Sequence, residues 1–124
     1  MLNVLIVEDE VIIALHIESI VKESGYIPVG IATDANEALR YADNEKIDLV
    51  ISDVRLRNSR DGIEVAEEIQ LEHGCAVILI TAYKDQDTLK RALNLELDGY
   101  LVKPFDEEEL RALLRRVAWR HKGI

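Results

Sequence analysis

The sequence has one cysteine, few basic residues and no long apolar run, and each shortage excludes a class of protein. Cys75 has no partner for an internal disulfide and no neighbouring cysteine for a metal pair, so we expect a small buried side chain there. No apolar run approaches the roughly 20 residues of a membrane span, and the first residues lack a charged segment followed by an apolar one. We therefore expect a cytoplasmic chain with no membrane partner.

The charge is strongly acidic, with 15 Lys and Arg against 24 Asp and Glu and a net charge of -9. This charge opposes nonspecific attraction to nucleic acid, so we expect no direct nucleic-acid binding and look to proteins and small ions as partners. At 124 residues and 48% hydrophobic content, the chain is long enough to bury one real core. The sequence predicts one domain over residues 1–124.

Four short apolar runs without period-two alternation are typical of parallel strands that are covered on both faces. They occupy residues 4–7, 49–51, 77–80 and 100–102. A fifth candidate strand, at 26–32, contains Pro28. Because proline removes a backbone donor, we expect this strand at an edge of the sheet.

Segments with helical spacing alternate with these runs, and one of them opens at the capping residue Asp34 and runs through Tyr41. The other apolar stripes are Ile13, Ile17 and Ile20; Ile63, Ala66 and Ile69; Leu89, Ala92 and Leu93; and Leu110, Leu113, Leu114 and Val117. A β-α unit repeated five times implies right-handed crossovers. The predicted class is therefore α/β, a doubly wound five-stranded parallel sheet with helices on both faces.

The final predicted helix begins with acids at 106–109 and ends with basic residues between Arg115 and Lys122. Because this polarity complements the helix dipole, we interpret it as a solvated, well-capped helix rather than a dedicated charged binding patch. Trp119, near the end of this helix, has two open interpretations, as ordinary packing or as an anchor for a dimer or partner.

Groups that can touch a phosphate or a metal follow four of the strands, at the sheet edge where ligands of such folds bind. They are Glu8, Asp9 and Glu10 after the first strand, Asp53 after the third, Thr81 after the fourth, and Lys103 after the fifth. Each one alone has a plainer explanation, as a helix cap or an isolated acid after a strand. The combination favours one shared site. Pro104 restricts Lys103 to extended backbone, and a tight turn follows in which a cis bond is an option.

Three carboxylates brought together repel one another and take up protons unless a cation lies among them. Mg²⁺ prefers oxygen ligands and uses one or two carboxylates together with phosphate oxygens, which fits Asp9 and Asp53. Lys103 adds a positive charge and the Thr81 hydroxyl adds a donor. Positioning and charge neutralisation are most of what phosphoryl transfer requires of a protein.

Taken in order, five segments make the sequence resemble the receiver domain of response regulators over essentially its whole length. They are VLIVEDE at 4–10, DLVISDVRL at 48–56, DGIEVAEEI at 61–69, VILITAY at 77–83 and DGYLVKPFD at 98–106. The resemblance implies a flavodoxin-like strand order of 2-1-3-4-5. It also implies a two-component signalling role, in which the chain is not an enzyme beyond Mg²⁺-dependent self-phosphorylation and autodephosphorylation.

The resemblance implies a role for each matching residue. Asp53 would accept the phosphoryl group. Asp9, Asp53 and the backbone carbonyl of Arg55 would bind Mg²⁺, with Glu8 acting through a coordinated water. The assigned partners of the phosphoryl group are Thr81, which would hydrogen-bond it, and Lys103, which would pair with it.

Tyr100 resembles the aromatic switch residue of the family. The alternative interpretation of Tyr100 is plain packing on an edge strand. As a switch it would turn inward with Thr81 and change the face made by the fourth helix, fifth strand and fifth helix. The implied partners are a histidine kinase or histidine phosphotransfer protein, and a downstream effector or a covalently linked output domain. A homodimer through the same face is a further implied partner.

Several positions depart from the commonest pattern of the family. Glu8 stands where many members have Asp, and we still expect metal binding with this substitution. The loop at 54–60 is one residue longer than usual and lacks the frequent proline. Arg55 and Tyr83 occupy the two positions that tune phosphate loss in the family, and there they predict slow autodephosphorylation. Glu96 and Leu97 replace a small pair often found before the fifth strand.

Three rival functions stay open from the sequence. A phosphatase of the haloacid dehalogenase type would use a similar aspartate, but it needs a second acid two residues later, where this chain has Arg55. A flavin-binding module would need a glycine-rich phosphate loop where this chain has Glu8, Asp9 and Glu10. The third rival is a receiver-like interaction module that is never phosphorylated.

Overall fold

The computed structural model describes residues 1–56, 61–82, 90 and 95–121. Its strands are β1 (Asn3–Val7), β2 (Ile27–Ala32), β3 (Leu49–Asp53), β4 (Ala76–Ala82) and β5 (Leu97–Lys103). Its helices are α1 (Val11–Glu23), α2 (Ala35–Asn44), α3 (Gly62–His73) and α4 (Glu107–His121). All strand pairs are parallel, and the five strands form one sheet in the order β2-β1-β3-β4-β5.

The core lies on both faces of this sheet, which explains why the strands are apolar without alternation. Helices α1 and α4 cover one face, where Ile6 of β1 joins a cluster with Ile17 and Leu114. Helices α2 and α3 contribute to the cluster on the other face, where Leu5 packs with Ile69. Successive side chains of a strand point to opposite faces, so Leu5 and Ile6 enter different clusters and both must be apolar.

The predicted doubly wound fold and its strand order are confirmed. Strand β2, which contains Pro28, lies at an edge of the sheet, as its proline predicts. The strands run further than the apolar runs, so that β3 ends on Asp53 and β5 ends on Lys103. The helix predicted around 89–93 falls mostly outside the described residues.

Helix α2 shows how local chemistry sets an element boundary. The side chain of its N-cap, Asp34, accepts a hydrogen bond of 2.9 Å from the backbone N–H of Glu37. Glu37 reaches back and accepts a hydrogen bond of 2.7 Å from the backbone N–H of Thr33. This reciprocal pair satisfies two donors that a helix start leaves unpaired. The cap predicted at Asp34 is therefore present, and the helix extends beyond Tyr41 to Asn44.

The structure also bears on the predictions made for Cys75 and Trp119. Cys75 is buried, as predicted, and burial raises the pKa of its thiol to about 11. The side chain of Trp119 is 61% exposed, so its ring is not part of the core, and both interpretations of it, packing against its own helix and an anchor for a partner, stay predictions. In the described ranges, no helix combines the length and the apolar character needed to cross a membrane.

Helix α3 offers a matched pair of side chains for testing this core. Ile69 is fully buried, whereas Leu71, on the same helix, is 75% exposed. We expect Ile69→Ala to lower the free energy of unfolding by about 2–5 kcal/mol, because it removes buried methyl groups and leaves a cavity. Leu71→Ala should change it by less than about 0.5 kcal/mol. Urea unfolding measures both, and equal losses in the two variants would contradict this packing.

Candidate functional site

The register of the sheet brings the carboxyl ends of four strands to one edge. Val7 of β1 is paired with Ser52 of β3, and Asp53 is paired with Ile80 of β4. Ala82 of β4 is in turn paired with Lys103 of β5. The residues that follow β1 and those that end β3, β4 and β5 therefore come together at one edge of the sheet, as the strand-end pattern of the sequence predicts.

Four acids converge in this pocket. Glu8, Asp9, Glu10 and Asp53 place carboxylate oxygens within 4.8 Å of one another. Glu8 and Asp53 are buried, Asp9 is half-buried, and Glu10 is exposed. So many negative groups at this separation repel one another strongly where solvent is excluded. The cluster therefore requires protons or cations to be stable.

Lys103 supplies one cation from the end of β5. Its Nζ donates to Glu8 Oε1 at 3.0 Å and to Asp53 Oδ2 at 3.0 Å. A third acid, Glu10, places Oε1 at 3.7 Å from the same nitrogen. One ammonium group thus bridges two buried carboxylates that come from sequence positions far apart. The peptide bond between Lys103 and Pro104 is cis, the option that the sequence left open.

The titration of Glu8 reflects this crowding. Burial, together with the neighbouring Asp53, raises the pKa of the Glu8 carboxyl to about 8, although Lys103 acts in the opposite direction. Burial alone would lower the pKa of Lys103, but its hydrogen bonds to Glu8 and Asp53 and their charges outweigh burial, and the pKa is raised. At pH 7, below the pKa of Glu8, the metal-free pocket therefore holds a charged lysine and a Glu8 carboxyl that is mostly protonated.

One atom of the pocket indicates what the acids can hold. Glu8 Oε2 is buried and has no hydrogen-bond partner among the described residues. A buried carboxylate oxygen without a donor is costly, and either a proton or a bound cation with its water shell removes the cost. The donor set consists of carboxylate oxygens, which a hard divalent cation prefers. The residues of this pocket therefore fit a metal ion.

Hydrogen bonds from the residues on either side of Asp53 fix its position at the end of β3. The backbone N–H of Arg55 donates to Asp53 Oδ1 at 3.3 Å, and the buried hydroxyl of Ser52 donates to the Asp53 carbonyl at 3.0 Å. Gly62 lies against the same carbonyl, where an added Cβ would come within 1.7 Å of the oxygen. The N–H of Gly62 donates to the carbonyl of Val54 at 2.9 Å.

Sequence reasoning missed the positioning roles of Ser52 and Gly62 around Asp53. It named Glu10 among the acids after the first strand but gave it no role, although Glu10 joins the acid cluster. The only signal in the sequence was their place in the segments 48–56, 61–69 and 4–10. A small residue beside an aspartate has no distinctive chemistry until the fold brings the two backbones together.

The plainer explanation of Glu8 and Asp9 was that they cap the first helix. The N-cap position of α1 belongs to Glu10, and no side chain there makes a capping hydrogen bond. Glu8 and Asp9 therefore do not occupy the N-cap position of this helix. Thr81 lies inside β4, where it is buried and its hydroxyl donates to the carbonyl of Ala82 at 3.1 Å.

Of the two remaining predicted residues, Tyr100 belongs to the described part of the chain. The side chain of Tyr100 is 51% exposed on β5, so its ring is turned towards solvent. Tyr83 lies outside the described residues.

The comparisons with known proteins agree with this geometry. The family model described as "Response regulator receiver domain" matches residues 4–115. The chain is 40% identical over 122 residues to the transcriptional regulatory protein PdtaR of Mycobacterium tuberculosis, covering 98% of this chain and 59% of the relative. It is 36% identical over 120 residues to the alkaline phosphatase synthesis transcriptional regulatory protein PhoP of Bacillus subtilis, covering 95% of this chain and 49% of the relative.

Solved structures share the fold over nearly the whole chain. The REC domain of AraT, a response regulator from Geobacillus stearothermophilus, superposes with a TM-score of 0.90 at 29% identity, covering 98% of this chain and 96% of that one. A CheY-like receiver domain protein from Methanospirillum hungatei gives a TM-score of 0.85 at 28% identity, covering 100% and 99%. With the family model spanning residues 4–115, these similarities show that the chain belongs to the response regulator receiver domain family of two-component systems.

Proposed function

We propose that residues 1–124 form a single receiver domain that accepts a phosphoryl group on Asp53 from a phosphohistidine of a kinase or a histidine phosphotransfer protein. The observation that supports this most directly is the bridge of Lys103 between Glu8 and Asp53, within a cluster of four acids at the sheet edge. In the transfer, a carboxylate oxygen of Asp53 forms a bond to phosphorus. The bond from phosphorus to the donor imidazole nitrogen breaks, and that nitrogen keeps the electron pair.

The chain's own residues prepare Asp53 for this reaction. The backbone N–H of Arg55 donates to the Asp53 carboxylate, and the Ser52 hydroxyl donates to the Asp53 backbone carbonyl, so the nucleophile is oriented before the donor arrives. Lys103 Nζ, 3.0 Å from Asp53 Oδ2, is placed to neutralise negative charge on the incoming phosphoryl oxygens. The positive charge thus remains in the pocket when its partner changes from Asp53 to phosphate.

Mg²⁺ is the cation we assign to the acids, held by Asp9, Asp53 and the backbone carbonyl of Arg55, with Glu8 acting through a coordinated water. When bound, it supplies further neutralisation of phosphoryl charge. The unpartnered Oε2 of Glu8 supports this assignment, because it needs a donor that the described residues do not provide.

The proposed response couples the new charge on Asp53 to the outer surface of β5. The Thr81 hydroxyl now donates to the Ala82 carbonyl, and on phosphorylation it would turn to the phosphoryl oxygens instead. Tyr100, half exposed on β5, would then turn inward into the space that Thr81 leaves. The surface that includes Tyr100 and α4 would thus differ between the two states.

Membership of the family indicates the general classes of partner. Response regulators act between kinases and effectors, and PdtaR and PhoP are transcriptional regulators by name. The chain spans 59% and 49% of these two relatives, so an output domain joined to it or a separate effector protein completes the proposed pathway. We assign the domain to the cytoplasm, where a kinase of this type meets its regulator, with no direct contact to nucleic acid.

The first test is phosphorylation of Asp53. We expect acetyl phosphate with Mg²⁺ to add one phosphoryl group to the wild-type chain, as measured by intact-protein mass spectrometry. Asp53→Asn should abolish the addition, because an amide oxygen is a poor nucleophile, and so should removal of Mg²⁺ with EDTA. Asp61→Asn is the matched control and should be modified normally, since Asp61 caps α3 and asparagine also caps helices. Equal labelling of the Asp53→Asn and wild-type chains would disprove the assignment.

The second test uses the pKa of Glu8 in metal-free protein. Because the folded state holds this proton up to pH about 8 and the unfolded chain only to about 4.5, the Glu8 contribution to stability is lost as pH rises through that window. We expect the stability of the wild type relative to Glu8→Gln to fall by up to about 1.4 kcal/mol per pH unit there. Urea unfolding in EDTA measures it.

The control for this pH dependence is Glu10→Gln, which alters a half-exposed acid of the same cluster. It should keep the wild-type slope. A difference between wild type and Glu8→Gln that is constant with pH would contradict the proposed proton on Glu8.

The third test concerns the lifetime of the phosphoryl group. We propose that Tyr83 shields the acyl phosphate from water, that Arg55 pairs with the acidic pocket before phosphorylation, and that loss of the phosphoryl group is slow. Tyr83→Ala should therefore shorten the lifetime by about tenfold, corresponding to roughly 1.4 kcal/mol of barrier. Release of inorganic phosphate from the phosphorylated chain measures this rate. A wild-type lifetime of seconds that Tyr83→Ala leaves unchanged would count against the shielding.

A further inference from the structure

The last turns of α2 and α3 bring together three side chains that can bind a metal ion. Asp43 is the last residue but one of α2, and Glu72 and His73 end α3. A carboxylate oxygen of each acid and a ring nitrogen of the histidine all lie within 4.8 Å of one another. All three residues are exposed, so an ion can reach them from solvent. These three residues form the α2–α3 cluster.

The α2–α3 cluster is separate from the pocket around Asp53. Helix α2 ends shortly before β3 begins, and α3 ends shortly before β4 begins, so both helices end near the amino ends of the strands. Asp53 lies at the carboxyl end of β3. The 5 residues of β3, at about 3.3 Å per residue, put roughly 16 Å between these two edges of the sheet. An ion in the cluster therefore does not touch the acids of the pocket.

The imidazole of His73 lies between the two acids without a hydrogen bond to either. Its Nε2 is 3.5 Å from Asp43 Oδ1 and 3.8 Å from Glu72 Oε2, beyond the roughly 2.7–3.2 Å of a normal hydrogen bond from nitrogen to oxygen. A zinc ion with bonds of about 2.0–2.2 Å in tetrahedral geometry separates its ligand atoms by roughly 3.4 Å. The observed distances therefore suit three atoms around one shared ion.

The electrostatics at the ends of the two helices favour a cation. The last carbonyl groups of a helix lack donors within the helix and carry partial negative charge, and both helices end here. Asp43 and Glu72 add two carboxylates. The last turn of α2 contains no basic residue, and the last turn of α3 contains only His73. A proton on the histidine would supply one positive charge, whereas a divalent ion supplies two and binds all three side chains.

The core and the helix cap fix the backbone that carries these ligands. Ala42 of α2 and Ile69 of α3 belong to the same buried cluster. Gly74 ends α3 directly after His73 with a φ of 70°, and its N–H donates to the carbonyl of Gln70 at 2.8 Å. Other residues rarely adopt this φ, so the helix ends at a defined position. Little backbone therefore has to be ordered when an ion binds.

We propose that the α2–α3 cluster binds a divalent transition-metal ion, Zn²⁺ above all, which ties the end of α2 to the end of α3. His73 Nε2 and one carboxylate oxygen each from Asp43 and Glu72 bind the ion, and water takes the fourth position. The imidazole nitrogen disfavours Mg²⁺, which prefers oxygen ligands and keeps several of its own waters. The proposal does not depend on phosphotransfer to Asp53.

The first test is calorimetric titration of the chain with Zn²⁺ in an excess of Mg²⁺, which occupies the acids around Asp53. We expect one zinc ion per chain. His73→Ala should raise the dissociation constant by about a hundredfold or more, because loss of even an outer-shell partner of a metal costs about ten- to hundredfold. His16→Ala is the matched control, since His16 is an exposed histidine beside a single acid, Glu107, and it should bind Zn²⁺ as the wild type does. Equal affinities of His73→Ala and the wild type overturn the proposal.

Variants of the acids distinguish ligation from general attraction of a cation to an acidic surface. Asp43→Asn and Glu72→Gln keep the size of the side chain but replace a carboxylate ligand, so each should raise the dissociation constant by about tenfold or more. Glu45→Gln removes the same charge from an exposed acid two residues beyond Asp43 and should have little effect. If Glu45→Gln weakens binding as much as Asp43→Asn does, the ion is held by charge alone and the proposed site is absent.

The tie between the two helices has a consequence for stability. An ion whose ligands come from both helices binds the folded chain and therefore stabilises it. We expect Zn²⁺ to raise the midpoint of urea unfolding of the wild type and to leave that of His73→Ala unchanged. A midpoint that Zn²⁺ does not raise, or raises equally in both proteins, contradicts the tie.

The ring nitrogens of the histidines give a readout that identifies the ligand directly. The chain has 3 histidines, and the His→Ala variants assign their NMR signals. Zn²⁺ should shift the ring signals of His73 and leave those of His16 and His121 in place, and Mg²⁺ should shift none of them. A zinc-dependent shift at His16 or His121 in place of His73, or at no histidine, overturns the assignment.

Discussion

The contact of the Lys103 ammonium group with the carboxylates of Glu8 and Asp53 is the interaction on which the site depends. Without a cation among them, the buried acids would repel one another or take up protons. With one lysine the pocket still holds more acidic than basic groups. Burial, together with the neighbouring Asp53, therefore raises the pKa of Glu8 in spite of Lys103. A pocket left in this condition fits an additional positive charge, which is the basis of the metal ion proposed for it.

The parallel sheet is what makes this contact available. Lys103 and Glu8 are 95 residues apart, yet each follows or ends a strand whose carboxyl end lies at the same edge. The covering of both faces by helices keeps water away from Glu8 and strengthens every charge interaction there. Close approach of Gly62 to the Asp53 carbonyl lets the next helix begin beside Asp53. The core therefore determines the electrostatics of the pocket as well as the stability of the fold.

Helix α4 illustrates how one element serves two surfaces. Its inner stripe of Leu110, Leu114 and Val117 closes the core, and Arg120 neutralises the buried Asp98 at the other end of β5. The outer face of the helix takes no part in the core or in that ion pair, and it carries charges of opposite sign at its two ends. Because β5 lies beneath it and ends on Lys103, a change in the pocket and a change on this surface involve adjoining elements.

The apolar runs of the sequence by themselves determined the class of fold, because a strand covered on both faces has no alternative to continuous apolar residues. Pro28 determined the edge position of its strand, because proline removes a backbone donor. The polar residues after those runs also predicted which groups would meet. Only the tertiary structure decided that Glu8 has a buried oxygen without a donor and that Gly62 and Ser52 hold the Asp53 carbonyl. It also decided which arginines of α4 are paired. These facts depend on distances between segments remote in sequence, and local pattern contains no information on such distances.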